Sequence, residues 1–411
     1  MIETTKKEPL LFLCHRIPFP PNKGDKIRSF NILKKLAEQY DIHLGCFIDD
    51  PFDKQYVDGL RKYCASIFHL DQNKTIAKLK GLTSLFTGKP ITLPYYYDKR
   101  MQQWTKRTLL QNNINKVFVY SSSMAQYCEG KQNESLERVI DFVDVDSDKW
   151  RQYAEKKTGL ARRVFHREFK LLAKYEDKVC AEFDHSLFVS PDEAKLFRDR
   201  QPSAEQAKVH GLLNGVDVDF FDPKENFSDE PLVPQNPFIS FTGAMDYWAN
   251  VDAVLWFAKQ VWPLILEQQP DAIFCIVGGN PSSEVKALAS KQGIDVTGRV
   301  HDVRPFIAKA QCVVAPMQIA RGIQNKVLEA MSLNKAIVVS SMAMEGINAQ
   351  ENCDIAIENE AQRYAEQCLK FFEQTKENNE IINRQWILEH FTWQQTLEPL
   401  GQYFSDKDAK E

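Results

Sequence analysis

Apolar residues in the first half of the chain fall into short runs, and the stretches between them carry apolar positions at helical spacing. The pattern predicts a strand over 10–14, a helix over 26–38, a strand over 42–47, a helix over 54–64 and a strand over 66–70. Such alternation is that of a parallel sheet with crossover helices. Further strands are predicted over 116–120, 138–144 and 185–189. The last of these runs into Ser190-Pro191-Asp192-Glu193, a good helix start.

A turn-rich passage then breaks the rhythm. Asn214-Gly215-Val216-Asp217-Val218-Asp219, Asp222-Pro223 and the proline-rich stretch 231–237 read as a linker. A second series follows, with strands over 238–242, 272–277, 296–300, 312–315 and 336–339. Helices are expected over 251–268, 282–292, 303–310 and 325–333. The expectation is an α/β protein of two Rossmann-like, doubly wound domains facing across a cleft, spanning 1–208 and 209–385.

A length of 411 residues suits two such domains, and it exceeds what one core usually serves. A net charge of −4 lacks the basic balance of a general nucleic-acid binder, so nucleic acid is not expected as a partner. Nine cysteines are scattered without zinc-like pairs, which fits a reducing cytoplasm. The run 10–14 is too short for a signal-peptide core and is followed at once by His15-Arg16.

Candidate chemistry lies where strands hand over to helices. The loop Pro18-Phe19-Pro20-Pro21-Asn22-Lys23-Gly24-Asp25-Lys26 follows the first strand, and Gly24 would let the backbone take positive φ or approach a ligand. A proline-stiffened turn with exposed charges explains the same loop equally well. In the second domain, Phe241-Thr242-Gly243 and Ile276-Val277-Gly278-Gly279 end strands, and Asn250 is expected to cap the next helix. The segment 321–331 supplies a helix N-terminus after a strand, with its free N–H groups and positive dipole end. On it Arg321 and Lys326 could neutralise a diphosphate, and Glu329 could accept hydrogen bonds from ribose hydroxyls. A solvated helix face is the plainer alternative for an isolated Lys and Glu three apart.

The ordered set of segments resembles family 4 of the retaining glycosyltransferases, which have the GT-B fold. Its members are matched by Asn214-Gly215-Val216-Asp217 with Phe221-Asp222-Pro223, then Phe241-Thr242-Gly243 to Asn250 and Ile276 to Gly279. Thr297 to Val303, Gly322 to Met331 and Ala336 to Ser340 follow in order. The loop 20–25 and the segment Asp141 to Ser147 look similar to the subgroup associated with bacterial exosortase and exopolysaccharide systems.

This resemblance implies a transferase that moves a sugar, with retention, from a nucleotide-diphosphate sugar to a lipid-linked or polysaccharide acceptor. It implies that Val300, Asp302 and Val303 lie near the base, Gly243, Gly322 and Ile323 help bind the donor, and Glu329 holds the ribose. No metal or other cofactor is expected. The departing diphosphate would then be stabilised by Arg321, Lys326 and backbone at Gly24. Asp144 and Lys23 are candidates on the acceptor side. A final helix over about 386–405 would cross back to the first domain, with Trp393 as a packing anchor.

Two departures stand out. Many relatives carry two glutamates separated by seven residues, but the first position is Arg321 here. The usual arginine and lysine after Phe241-Thr242-Gly243 are replaced by Ala244-Met245-Asp246-Tyr247-Trp248. A catalytically weakened nucleotide-sugar-binding protein of a polysaccharide assembly complex is therefore the alternative, with a sugar-nucleotide epimerase third. Spaced lysines among apolar residues over 74–97, and basic residues over 149–178, suggest peripheral contact with an anionic membrane on its inner face.

Overall fold

The computed structural model describes residues 7–21, 24–155, 157–227, 230–319, 322–349, 353–373 and 382–404, save the side chains of 85 and 86. The chain divides into two compact units: residues up to Leu213 together with those from Leu397 onward, and Asn214–Thr396.

Among the described residues of the first unit, seven strands form one parallel sheet: β1 (Glu8–Cys14), β2 (Tyr40–Ile48), β3 (Cys64–Asp71), β4 (Lys116–Tyr120), β5 (Glu137–Val143), β6 (His185–Phe188) and β7 (Val209–Gly211). Their order is β3-β2-β1-β4-β5-β6-β7. The order reverses between β1 and β4, so the loops leaving these two strands diverge and open a crevice where such sheets bind ligands. Helix α1 (Gly24–Leu36) packs the buried side of this sheet through Phe30, Ile32, Leu33 and Leu36. It also sends in Arg28, whose Nε donates to Asp141 Oδ2 at 2.8 Å and whose Nη1 donates to the Leu212 carbonyl at 2.7 Å. Neither partner of this ion pair is accessible to solvent, so each is the other's necessary compensation.

The second unit repeats the arrangement with β8 (Phe238–Thr242), β9 (Ile273–Val277), β10 (Ile294–Gly298), β11 (Cys312–Ala315), β12 (Ile337–Val339) and β13 (Ile355–Ile357). Their order is β10-β9-β8-β11-β12-β13, all parallel. Two doubly wound sheets, as the alternation predicted, are thus present.

The differences are local. Residues Pro51–Leu60 form a 3-10 helix in place of the α-helix expected over 54–64, and Asp58 and Gly59 are both poor α-helix formers. The helix expected over 251–268 is interrupted by a π-turn at Phe257–Val261, just before Pro263, which has no N–H to give to the ladder. Strand β10 ends at Gly298, whose φ of 70° turns the chain off the sheet, so Val300 lies beyond the strand. No helix among the described residues is long and apolar enough to cross a membrane.

Candidate functional site

The second unit gathers its glycines at the C-terminal ends of β8, β9 and β10. Gly243 N donates to Val277 O at 3.0 Å, Gly278 N to Gly298 O at 3.1 Å and Met245 N to Gly279 O at 2.9 Å. The three strand ends are thereby tied edge to edge. A Cβ on Gly278, at φ 152°, would sit 1.7 Å from the Gly243 carbonyl oxygen, so no larger residue fits without parting the two loops.

Gly243 in turn makes room for Asn250. A Cβ there would fall 2.7 Å from Asn250 Nδ2. Asn250 was expected as a helix cap, but it lies inside the Trp248–Trp256 helix, whose N-cap position is Tyr247, which caps it with no side-chain hydrogen bond. Its amide is used differently: Nδ2 donates to Ala244 O at 3.0 Å, and Oδ1 accepts from Lys326 Nζ at 2.6 Å. The short polar side chain therefore joins the β8 loop to the helix that follows β11.

That helix is Asn325–Ser332. Gly322, in the left-handed region at φ 63°, turns the chain into it, and Ile323 is buried beside the turn. Its first residue, Asn325, accepts through Oδ1 from Asn214 Nδ2 at 3.2 Å. Lys326 is buried, with Nζ 3.8 Å from Met317 Sδ and 4.6 Å from the centre of the Phe241 ring. Burial pushes the ammonium pKa down to about 8, and the Glu329 carboxylate one turn along only partly restores it. Glu329 is half-buried. Burial pushes its pKa up to about 7 against the attraction of Lys326. Among the described residues its carboxylate has no hydrogen-bond or ion-pair partner. A cation and a hydrogen-bond acceptor thus stand three residues apart on one helix face, both poorly solvated.

The remaining expected donor residues divide. Val300 packs against a core cluster that includes Val277, Phe306 and Ala310. Asp302 is occupied: its carboxylate accepts from Arg304 N at 2.9 Å and Arg304 Nη2 at 2.7 Å, while its own N–H donates to Glu230 Oε1 at 2.9 Å. These contacts start the Arg304–Ala308 helix, with Val303 at its cap position. Arg321, one of the expected phosphate ligands, lies outside the described residues, and so does Lys23.

In the first unit Gly24 is the first residue of α1, where a Cβ would meet nothing within 4 Å. Its φ is not positive, so a left-handed turn is not what requires a glycine there, and the space beside it is open. Asp144 is engaged locally, 2.7 Å from Lys149 Nζ, which also reaches Asp146 at 3.2 Å. Asp141, part of the same sequence pattern, is buried against Arg28 and accepts from Val143 N at 2.8 Å, holding Val143 at φ 71°.

Sequence reasoning missed a charged group at the β1 end of the sheet reversal. Arg16 Nη1 lies 2.7 Å from Asp25 Oδ2 and its Nε 3.2 Å from Asp49 Oδ2; His15 Nε2 is 3.6 Å from Asp25 Oδ2. The His15 ring stacks on Tyr120 at 5.8 Å, and Tyr120 OH donates to the Asp25 carbonyl at 2.8 Å. Burial works to raise the Asp25 pKa, yet His15 and the Arg16 charge prevail and hold it well below the usual carboxylate range. The available signal was the pair His15-Arg16 directly after the first strand, facing Asp25 across the proline loop.

Residues 236–374 match the family model described as glycosyl transferases group 1. A protein of Klebsiella pneumoniae described as an uncharacterized 44.6 kDa protein in the cps region is 21% identical over 369 residues, which are 86% of this chain and 88% of that protein. Among solved structures, sucrose-phosphate synthase from Thermosynechococcus elongatus superimposes with a TM-score of 0.71 at 14% identity, covering 98% of this chain and all (100%) of that one. Anabaena HepE in complex with UDP and glucose gives 0.67 at 13% identity over 97% of this chain and 99% of that one. The fold is that of the GT-B glycosyltransferases, and the match to the group 1 model falls within the second unit.

Proposed function

We propose that this protein is a metal-independent, retaining glycosyltransferase that moves a sugar from a nucleotide-diphosphate donor to a lipid-linked or polysaccharide acceptor in bacterial surface polysaccharide synthesis. The observation that carries the reading is the Lys326–Glu329 pair. A buried ammonium held by Asn250 and an unpartnered, half-buried carboxylate one turn away meet the two demands of a nucleotide diphosphate, anion neutralisation and ribose hydroxyl acceptance. The group 1 domain, the HepE complex with UDP and the cps-region relative support the same reading.

In this mechanism Lys326 and Arg321 bear the negative charge that grows on the departing diphosphate, and backbone N–H groups at the start of the Asn325–Ser332 helix add to it. Gly243, Gly322 and Ile323 shape the donor pocket, with Val300, Asp302 and Val303 on the base side. Backbone at Gly24 adds to the stabilisation of the departing diphosphate, and Lys23 and Asp144 belong to the acceptor side.

The test is a panel of nucleotide sugars scored for binding by calorimetry and for turnover with polyprenyl-phosphate-linked and oligosaccharide acceptors. Product anomers would be read by NMR, and reactions run with and without EDTA. Expected is one preferred donor, turnover dependent on acceptor, retained configuration and insensitivity to EDTA. Donor binding with no transfer to any acceptor of either class would overturn the transferase reading in favour of a nucleotide-sugar-binding protein.

A further inference from the structure

Helix α2 (Lys74–Thr87) of the first unit is turned inside out relative to an ordinary surface helix. Among its described side chains the buried ones are the small residues Ala77, Gly81 and Ser84, whereas Ile76, Leu79 and Leu82 are 54%, 60% and 53% exposed. At about 100° per residue, the three large apolar side chains share an arc of about 120°, opposite the small-residue face. The inward face has a steric cause: a Cβ on Gly81 would lie 2.9 Å from Ile91 Cγ2.

The charges carried by the helix itself have one sign: Lys80 flanks the stripe on one side and Lys78 on the other, Lys89 follows the helix, and no acidic residue occurs between 74 and 91. Lys74, at the helix start, lies 3.7 Å from Asp49. The helix Gly159–Glu182 extends the basic face, because Arg167 Nη2 donates to the Ser84 carbonyl at 2.6 Å. Arg163 and Lys170 are exposed one turn to either side of Arg167, next to exposed Arg162. A second copy of the chain would bring these lysines against each other, so self-association is disfavoured.

We infer that α2 and the adjacent Arg162–Lys170 turns form a docking face for an anionic lipid surface. The apolar stripe enters the headgroup boundary, and the lysines on its flanks extend their stems along it toward lipid phosphates. This inference does not depend on donor chemistry, so its failure and that of the transferase reading are separately visible.

The experiment is co-flotation of the full chain with vesicles of phosphatidylglycerol and phosphatidylcholine, against vesicles of phosphatidylcholine alone. Expected is binding to the anionic vesicles at low salt, reduced strongly at about 1 M salt, where the Debye length is about 3 Å. The double variant Lys78→Gln, Lys89→Gln should bind roughly 25-fold more weakly, about fivefold per lysine. Leu79→Gln with Leu82→Gln, both on the exposed face, should lose roughly tenfold with an unchanged melting temperature. Absence of flotation at low salt, or equal flotation of the wild type and both variants, would overturn the proposal. So would a concentration-dependent dimer that the leucine variants dissolve without any vesicle binding.

Discussion

Donor affinity should follow a bell-shaped pH profile whose two limbs belong to Lys326 and Glu329. Burial holds the Lys326 ammonium near pKa 8 and the Glu329 carboxyl near 7 in the empty site. If a diphosphate requires the protonated amine and the ribose requires the ionised carboxylate, the competent form peaks at about pH 7.5. There each group is about three-quarters in its working state. At about pH 9 the amine is roughly one-tenth protonated, and at about pH 6 the carboxyl is roughly one-tenth ionised. The dissociation constant should therefore rise about sixfold on either side.

Calorimetry in buffers of different ionisation enthalpy adds an independent reading. At about pH 8.5 binding should draw in about 0.7 of a proton, because phosphate contact restores the lysine charge. Lys326→Met should flatten the alkaline limb, abolish this uptake and weaken binding roughly 10- to 100-fold. Glu329→Gln should flatten only the acid limb. An affinity that varies less than twofold between about pH 6 and 9, with no proton uptake, would refute the assignment of both residues. Retention of the alkaline limb in Lys326→Met would refute that of the lysine alone.

The same burial has a sign for stability. A depressed lysine pKa makes the fold gain stability as pH rises from about 8 toward the unfolded value, and a raised glutamate pKa makes it lose stability as pH rises toward about 7, so the empty pair is most costly between the two. The double variant Lys326→Met, Glu329→Gln should thus raise the melting temperature at about pH 7.5 by several degrees, corresponding to about 1–3 kcal/mol, while donor binding is lost. At the strand ends, Gly278→Ala must displace the Gly243 carbonyl 1.7 Å away and should cost about 3 kcal/mol with loss of donor binding; Gly298→Ala, with open space around its Cβ, should cost only about 1–2 kcal/mol for its φ of 70°. Thermal denaturation beside donor titration checks both, and equal effects would show that the glycine contact is not what limits the site.

Sheet and helix alternation was legible because parallel strands buried on both faces leave continuous apolar runs, such as Leu10 to Cys14 and Cys312 to Ala315. Elements of three residues, β7 and β13, are too short to show any period, and both were missed. The register of β10 was misplaced because its end is set by a glycine turn, which hydrophobicity does not record. Within the site, helix position revealed Lys326 and Glu329. The partner of Lys326 was misread, since Asn250 looks like a cap in one dimension and becomes a bridge only once β8 and β11 lie side by side.

Asp302 and Asn250 illustrate why a motif does not assign a role by itself. Asp302 occurs where the resemblance implies contact with the base, yet its carboxylate is consumed by Arg304 and the start of a helix, so any donor contact there falls to backbone or to Val303. Glu329 occurs in an equally short pattern and is left without a partner among the described residues. A fold that desolvates a carboxylate until its pKa reaches about 7, and among its described residues gives it no hydrogen-bond partner, keeps a group in a costly state that a hydroxyl-bearing ligand can relieve. The same holds for Lys326, whose one strong hydrogen bond among the described residues goes to the neutral Asn250 oxygen. Unspent capacity of opposite sign on one helix face therefore distinguishes binding residues from those, like Asp302 and Asp141, whose charges the fold has already neutralised.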